Sequence, residues 1–306
     1  MRTRPERLQK GDQVGIVAPA SPPNKARLEK SIKFLESLGL ECVIGESVTA
    51  KNYYLAGTDS IRLHDVHQMI QNPEIKAIIC SSGGYGSARI ADKIDYILLE
   101  ENPKIFWGFS DITFLHTAMG QLSNIVTFHG PTLSALGRED VHERSLLMFE
   151  QLFSPAEIVY NEKISPLTTI SSGQVRGMIV GGNLTLICQS LGTKFELDVA
   201  NKVLLIEDVG QEPAHIDAML NQLRMARKLE QCAGVVIGSF TGTEPVEYKN
   251  SPSVEAVFES YFKDLNKPVV SGFKFGHEDL NVGIPLGVDV ILNADDKYLA
   301  FLPGVE

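Results

Sequence analysis

Short apolar runs alternate along the first half of the chain with longer stretches whose apolar positions recur every three or four residues. QVGIVA at 13–18 is a β-prone run ended by Pro19. Leu28, Ile32, Leu35 and Leu38 then fall near helical spacing, with Gly39 as the stop. A second strand is predicted at 40–45, and a helix over 58–70 on the spacing of Ile61, Leu63, Val66, Met69 and Ile70. Strand 75–80 runs into SSGGYGS, strand 105–107 into GFSD, and strand 125–128 into HGP. Strand and helix alternating in this way predict a parallel sheet covered by helices on both faces. In such sheets, sites form beyond the C-terminal ends of the strands. APAS, SSGGYG, GFSD and HGP all lie there.

The texture changes over 154–176, which is rich in Ser, Thr and Pro and has no helical period. It reads as a connection or a set of exposed strands, and the domain boundary is placed there: 1–155 and 156–306. Beyond it the pattern predicts strands at 174–180, 203–206, 233–237 and 268–271. Helices are predicted at 216–228 and 253–265, and a closing hairpin from 288–293 and 298–301. No internal repeat is visible.

Composition narrows the function classes. The 306 residues are 43% hydrophobic and 22% charged, a globular profile long enough for two domains. A net charge of -10 and no basic run argue against nucleic-acid binding. No apolar run approaches the length of a membrane helix, and the charged N-terminus has no apolar region behind it, so a cytoplasmic protein is expected. Cys42, Cys80, Cys188 and Cys232 are scattered, with no CxxC pair, which suits reduced thiols better than zinc or disulfides.

Four places carry candidate chemistry. Gly108 and Phe109 force a tight turn after Ile105, Phe106 and Trp107, and Ser110 and Asp111 open the helix that follows. A serine on a sharp strand-to-helix turn is a nucleophile geometry; the alternative is that Ser110 or Asp111 is only an N-cap. Gly83-Gly84-Tyr85-Gly86 joins a strand to a helix, where backbone N–H groups can hold an anion, although the spacing is neither G-x-G-x-x-G nor a Walker loop. The simpler reading is a tight βα turn. Glu207 and Asp208 end an apolar strand, with Glu212 close enough to be confused with Glu207; both could equally be solvated charges. His277 sits in FKFGHED after a strand, flanked by Gly276 and Glu278, and is a candidate general base or a surface residue. His129 follows a strand and is a candidate cleft residue, whereas His116 reads as packed or hydrogen-bonded. A serine, an acid and a histidine on strand-end loops are the parts of a triad, in the order Ser110, Glu207, His277.

Together these segments resemble the LD-carboxypeptidase family, the S66 serine peptidases, which also include microcin C immunity proteins. GDQVGIVAPAS, GGYGSARI, GFSDIT, FHGP, VRGMIVGGNLTLICQSLGT, LLIEDVGQEPAHIDAMLNQLRMA and GHEDLNVGIPLGVDVILNAD occur in the family's order over nearly the whole chain. The resemblance implies an α/β protein: a flavodoxin-like N-terminal domain and a smaller swivelling β/α C-terminal domain, with the site between them. It implies a Ser110–Glu207–His277 triad and an oxyanion hole from the backbone N–H groups of Asp111 and Gly84. Gly83, Tyr85 and His129 are expected to bind substrate. The implied reaction is hydrolysis of the amide between an L-centre (meso-diaminopimelate or L-Lys) and a terminal D-Ala in murein tetrapeptides. It proceeds without metal or cofactor, in a cytoplasmic homodimer that recycles cell wall. One departure bears on substrate: many murein-cutting members carry Arg where this chain has Ser82. Two rival expectations are hydrolysis of an acyl-sulfamoyl-adenylate amide and a non-catalytic binding homologue.

Overall fold

The computed structural model describes residues 2–306. The chain builds two compact units, the first from Arg2–Ala156, Asp279–Gly287 and Pro303–Glu306, the second from Glu157–Glu278 and Val288–Leu302.

The first unit is organised by five parallel strands: β1 (Gln13–Val17), β2 (Glu41–Ile44), β3 (Ile75–Cys80), β4 (Ile105–Gly108) and β5 (Thr127–His129). Their order across the sheet is 2-1-3-4-5, the flavodoxin-type order. A sixth strand, Ile284–Leu286, pairs antiparallel with the outer edge of β5. The central strands are apolar because helices cover both faces; Val14, Ile16, Ile78, Ile79, Phe106 and Trp107 are fully buried. Trp107 stacks on Phe128, packs on Phe149, and donates its indole N–H to the Pro131 carbonyl at 2.9 Å. Helices Lys25–Ser37 and Asp59–Gln71 begin at Asn24 and Thr58, whose side chains accept from backbone N–H groups of the first turn.

The second unit contains an eight-stranded mixed sheet. Its strands are β6 (Ile158–Asn161), β7 (Thr168–Ser171), β8 (Gln174–Asn183), β9 (Val203–Val209), β10 (Gly234–Thr241), β11 (Val269–Ser271), β13 (Asp289–Asn293) and β14 (Tyr298–Phe301), β12 being Ile284–Leu286 of the first unit. The order is 6-14-13-8-9-10-11-7. β8 to β11 run parallel, while β13 and β14 form the predicted hairpin. The Ser/Thr/Pro-rich stretch supplies β6 and β7, one at each edge of this sheet. Helices Pro213–Met225 and Val254–Phe262 lay Ile216, Leu220, Phe258 and Phe262 on Leu204, Ile206, Val235 and Ile237. Among the described residues no helix is long and apolar enough to cross a membrane.

Candidate active site

The strand order of the first sheet reverses between β1 and β3, the kind of place where loops diverge and leave a crevice. Three loops meet there. Ser21, after β1, donates its N–H to the Gly83 carbonyl at 3.1 Å, and its Oγ accepts from the Tyr85 N–H at 3.2 Å. The Ser82 hydroxyl donates to the Ser21 carbonyl. Ser82, at the position where an Arg was expected, is thus a buried tie between two loops. Gly84 has φ +100°, and a Cβ there would lie 2.4 Å from Ser21 Oγ, so only glycine lets the two loops approach.

Ser110 follows β4. It opens a 3-10 turn, Ser110–Ile112, that feeds helix Thr113–Leu122. Its φ is +64°, a left-handed conformation that costs a residue with a Cβ on the order of 1 kcal/mol or more. The cap positions fall on Phe109 and Ile112, neither with a side-chain cap bond, so the N-cap reading of Ser110 and Asp111 is replaced by a strained turn. The glycine loop presses on this turn: a Cβ on Gly83 would lie 2.9 Å from Ser110 Cβ and 3.2 Å from its Oγ.

The Asp111 side chain is buried. It turns away from its own helix and accepts from the Ser87 N–H at 2.8 Å, while the Ser87 hydroxyl donates to the Asp111 carbonyl at 2.6 Å. Burial pushes the Asp111 carboxyl up; the bonds from Ser87 and Gly86 and the Arg62 charge oppose it. Tyr85 is exposed and packs edge-on to Tyr54. His129 lies within β5, fully buried, edge-on to Phe109, so its ring is enclosed in the core where a cleft position was expected. His116 bonds the Gly108 carbonyl at 2.8 Å and is pushed down to about 4 by burial.

In the second unit, β9 extends three residues beyond the expected strand and carries both acids inward; Glu207 and Asp208 are buried, not solvated. Glu207 Oε2 lies 2.9 Å from His277 Nδ1. Its position depends on Gly276, whose φ is +134° and whose Cβ would lie 2.6 Å from Oε2. The His277 ring is 17% exposed, its carboxylate partner 0%. Burial lowers the imidazole pKa, but the Glu207 charge and hydrogen bond outweigh that and hold it above the ordinary histidine value. Burial pushes the Glu207 carboxyl up, opposed first by the His277 charge. With Nδ1 on a carboxylate, proton exchange with a reactant falls to Nε2.

The other acids have separate work. Glu212 accepts from the Glu247 and Tyr248 N–H groups at 2.9 and 3.1 Å, holding a surface loop. Asp208 accepts from Asn183 Nδ2, from the Thr185 N–H and hydroxyl, and from the Val209 N–H, all within 3.0 Å. It anchors the start of helix Leu184–Ser190, a role that an acid after an apolar strand does not advertise.

Family profiles for the LD-carboxypeptidase N-terminal and C-terminal domains match residues 14–130 and 176–292. The chain belongs to the LD-carboxypeptidase family. Membership makes it a serine-type peptidase, a hydrolase. A family relative from Bacillus subtilis named "Probable murein peptide carboxypeptidase" is 45% identical, over 99% of this chain and 95% of its own. The microcin C7 self-immunity protein of Escherichia coli is 25% identical, over 96% and 94%. Among solved LD-carboxypeptidase structures, the muramoyltetrapeptide carboxypeptidase from Oxalobacter formigenes has 27% identity and a TM-score of 0.83, covering 94% of this chain and 97% of that one.

Proposed function

We propose that this chain removes the terminal D-Ala from murein tetrapeptides, cutting the amide that follows meso-diaminopimelate or L-Lys. The observation that carries the reading is Ser110: a serine held at φ +64° on a strand-to-helix turn with a glycine loop against it. The names of two relatives, a probable murein peptide carboxypeptidase and a muramoyltetrapeptide carboxypeptidase, support murein peptides as the substrate class.

In this reading Ser110 Oγ attacks the scissile carbonyl carbon while His277 Nε2 takes its proton. Glu207 fixes the tautomer and stabilises the imidazolium. The N–H groups of Asp111 and Gly84 receive the carbonyl oxygen as it becomes an oxyanion; N–H groups at the start of a helical turn have no intrahelical partner and suit the task. The imidazolium returns its proton to the departing D-Ala nitrogen. Water, activated by the same imidazole, then hydrolyses the acyl-serine ester. Gly83 and the exposed Tyr85 contact the peptide. The reading carries with it a homodimer working on muropeptides in the cytoplasm.

The test is incubation with a murein tetrapeptide, following D-Ala by mass spectrometry. Release by the native protein and a loss of at least about 10³-fold in Ser110→Ala are expected. Equal release by both proteins overturns Ser110 as nucleophile. No release by either, with hydrolysis of an aminoacyl-sulfamoyl adenosine by the native protein, moves the substrate to the acyl-nucleotide class.

A further inference from the structure

One charged side chain in the first unit is buried without belonging to the reaction described above. Arg62, on helix Asp59–Gln71, is 0% exposed. Guanidinium groups are almost never fully buried unless paired. Arg62 Nη1 donates to two backbone carbonyls, Pro19 at 2.5 Å and Gly86 at 2.7 Å. Pro19 lies in the loop after β1, and Gly86 closes the glycine loop after β3. The other terminal nitrogen, Nη2, bonds Asp59, which also receives Arg89 Nε and Nη2 at 3.0 Å each.

Gly86 is held from both sides. Its carbonyl accepts from Arg62, and its N–H, with that of Ser87, donates to the Asp111 carboxylate. Asp111 is the residue after Ser110. An unbroken set of contacts therefore runs from Arg62 through the end of the glycine loop to the nucleophile turn. Gly86 has φ +124°, and a Cβ there would lie 2.9 Å from Arg62 Nη1 and 2.5 Å from Leu55 Cδ2. Only glycine admits the guanidinium at this point.

We propose that Arg62 is a positioning residue for the oxyanion hole: with Asp111 it clamps the glycine loop against the Ser110 turn and so sets the spacing between the loop N–H groups and Oγ. This rests on the reading of Ser110 as nucleophile and of the Gly84 and Asp111 N–H groups as oxyanion donors. The physical reason is that preorganised donors act only where they already point at the developing charge, and a displacement of about 1 Å can cost about 10²-fold in rate. Two carbonyls on Nη1, with Asp59 holding Nη2 of the same planar group, fix the β1 and β3 loops relative to each other, which the ammonium of a lysine reproduces only in part. The clamp lies behind the loop, on the side of helix Asp59–Gln71, so it acts on the geometry of the reaction more than on the affinity for substrate.

The experiment reads the rate at which a fluorophosphonate probe labels Ser110, alongside kcat and KM for tetrapeptide hydrolysis. In labelling, Oγ bonds to phosphorus, fluoride leaves, and the hydroxyl proton is taken up by the base; the tetrahedral adduct presents its oxygen to the oxyanion donors. Arg62→Met is expected to slow labelling and lower kcat by about a hundredfold, the scale of one lost oxyanion donor, with KM within threefold. Arg62→Lys should recover part of both. Folding is checked by thermal melting, and if Arg62→Met does not fold, Gly86→Ala decides, because it displaces the same contact and keeps the charge. A folded variant that labels at the native rate, or that raises KM with kcat unchanged, overturns the proposal. A native protein that labels but releases no D-Ala would fail the murein reading and leave the clamp testable by labelling. A native protein that does not label overturns both.

Discussion

In the proposed reaction the hydrogen-bonded pair His277 and Glu207 sets the pH at which the base works. A general base works only as the neutral imidazole, and the Glu207 charge holds the His277 pKa above the ordinary value of about 6.5 despite burial. Activity should therefore fall on the acid side through a limb lying above 6.5, because protonation removes the base as pH drops through the raised pKa. Removing the carboxylate charge in Glu207→Gln leaves burial as the larger influence, so the limb should move below 6.5 while kcat drops by about 10³ to 10⁴. A pH profile of kcat/KM for both proteins checks this; an unmoved limb would assign it to another group. Glu212→Gln, whose carboxylate accepts from the loop N–H groups of Glu247 and Tyr248, should keep the native limb. At this scale the sequence offered Ser110, Glu207 and His277 as candidates through their places after apolar runs. It could not separate Glu207 from Glu212, because two acids five positions apart differ only in which one the strand carries inward. The Asp111 and Asp208 carboxylates were hidden for the same reason: their partners, Ser87 and Thr185, are distant in sequence and carry no motif.

Among the elements, those with a continuous apolar run were legible. β1, β3 and β4 are buried on both faces, so burial writes them directly into the chain. β5 is set two residues later than expected at its start, because Ile125 is used in a bridge to Thr3. Ile284–Leu286 was not legible: three residues with a central proline and flanking glycines make no periodic signal, and only the partner β5 makes them a strand. Helix Leu184–Ser190 is short, and its first turn is tied to Asp208 by Asn183 and Thr185. Asp208→Ala strands those donors in a buried place and should destabilise the protein by about 3 kcal/mol, read as a lower urea midpoint at unchanged slope. A change under about 0.5 kcal/mol would mean that the helix start holds without it.

The whole molecule is not two beads on a string. The chain passes between its two units four times, and the pieces that return to the first unit are used in its structure. Gln151 donates to the Gly283 carbonyl at 2.9 Å, Gly283 lies against Trp107, and Gly304 against Phe128. A fragment ending at 156 lacks all three contacts and leaves β5 as an open edge, which invites association with other chains. It should aggregate or lose the near-ultraviolet signal of Trp107, the chain's one tryptophan; a compact monomeric fragment with native Trp107 dichroism would show that the returns are dispensable. A linear reading places the change of texture near 155 but has no means to see a nine-residue return, since it belongs to the first unit only through pairing.

That return also has a meaning in time. A ribosome adds about 5 to 20 residues per second, so β5 must wait on the order of ten seconds for the strand Ile284–Leu286 to emerge and cover it. For most of that interval Ser110 has been made, but its sheet is unfinished and His277 has not yet been translated. Until then the outer edge of β5 is an unpaired strand edge open to association with other chains, and a product terminated soon after β5 carries Ser110 without Glu207 or His277.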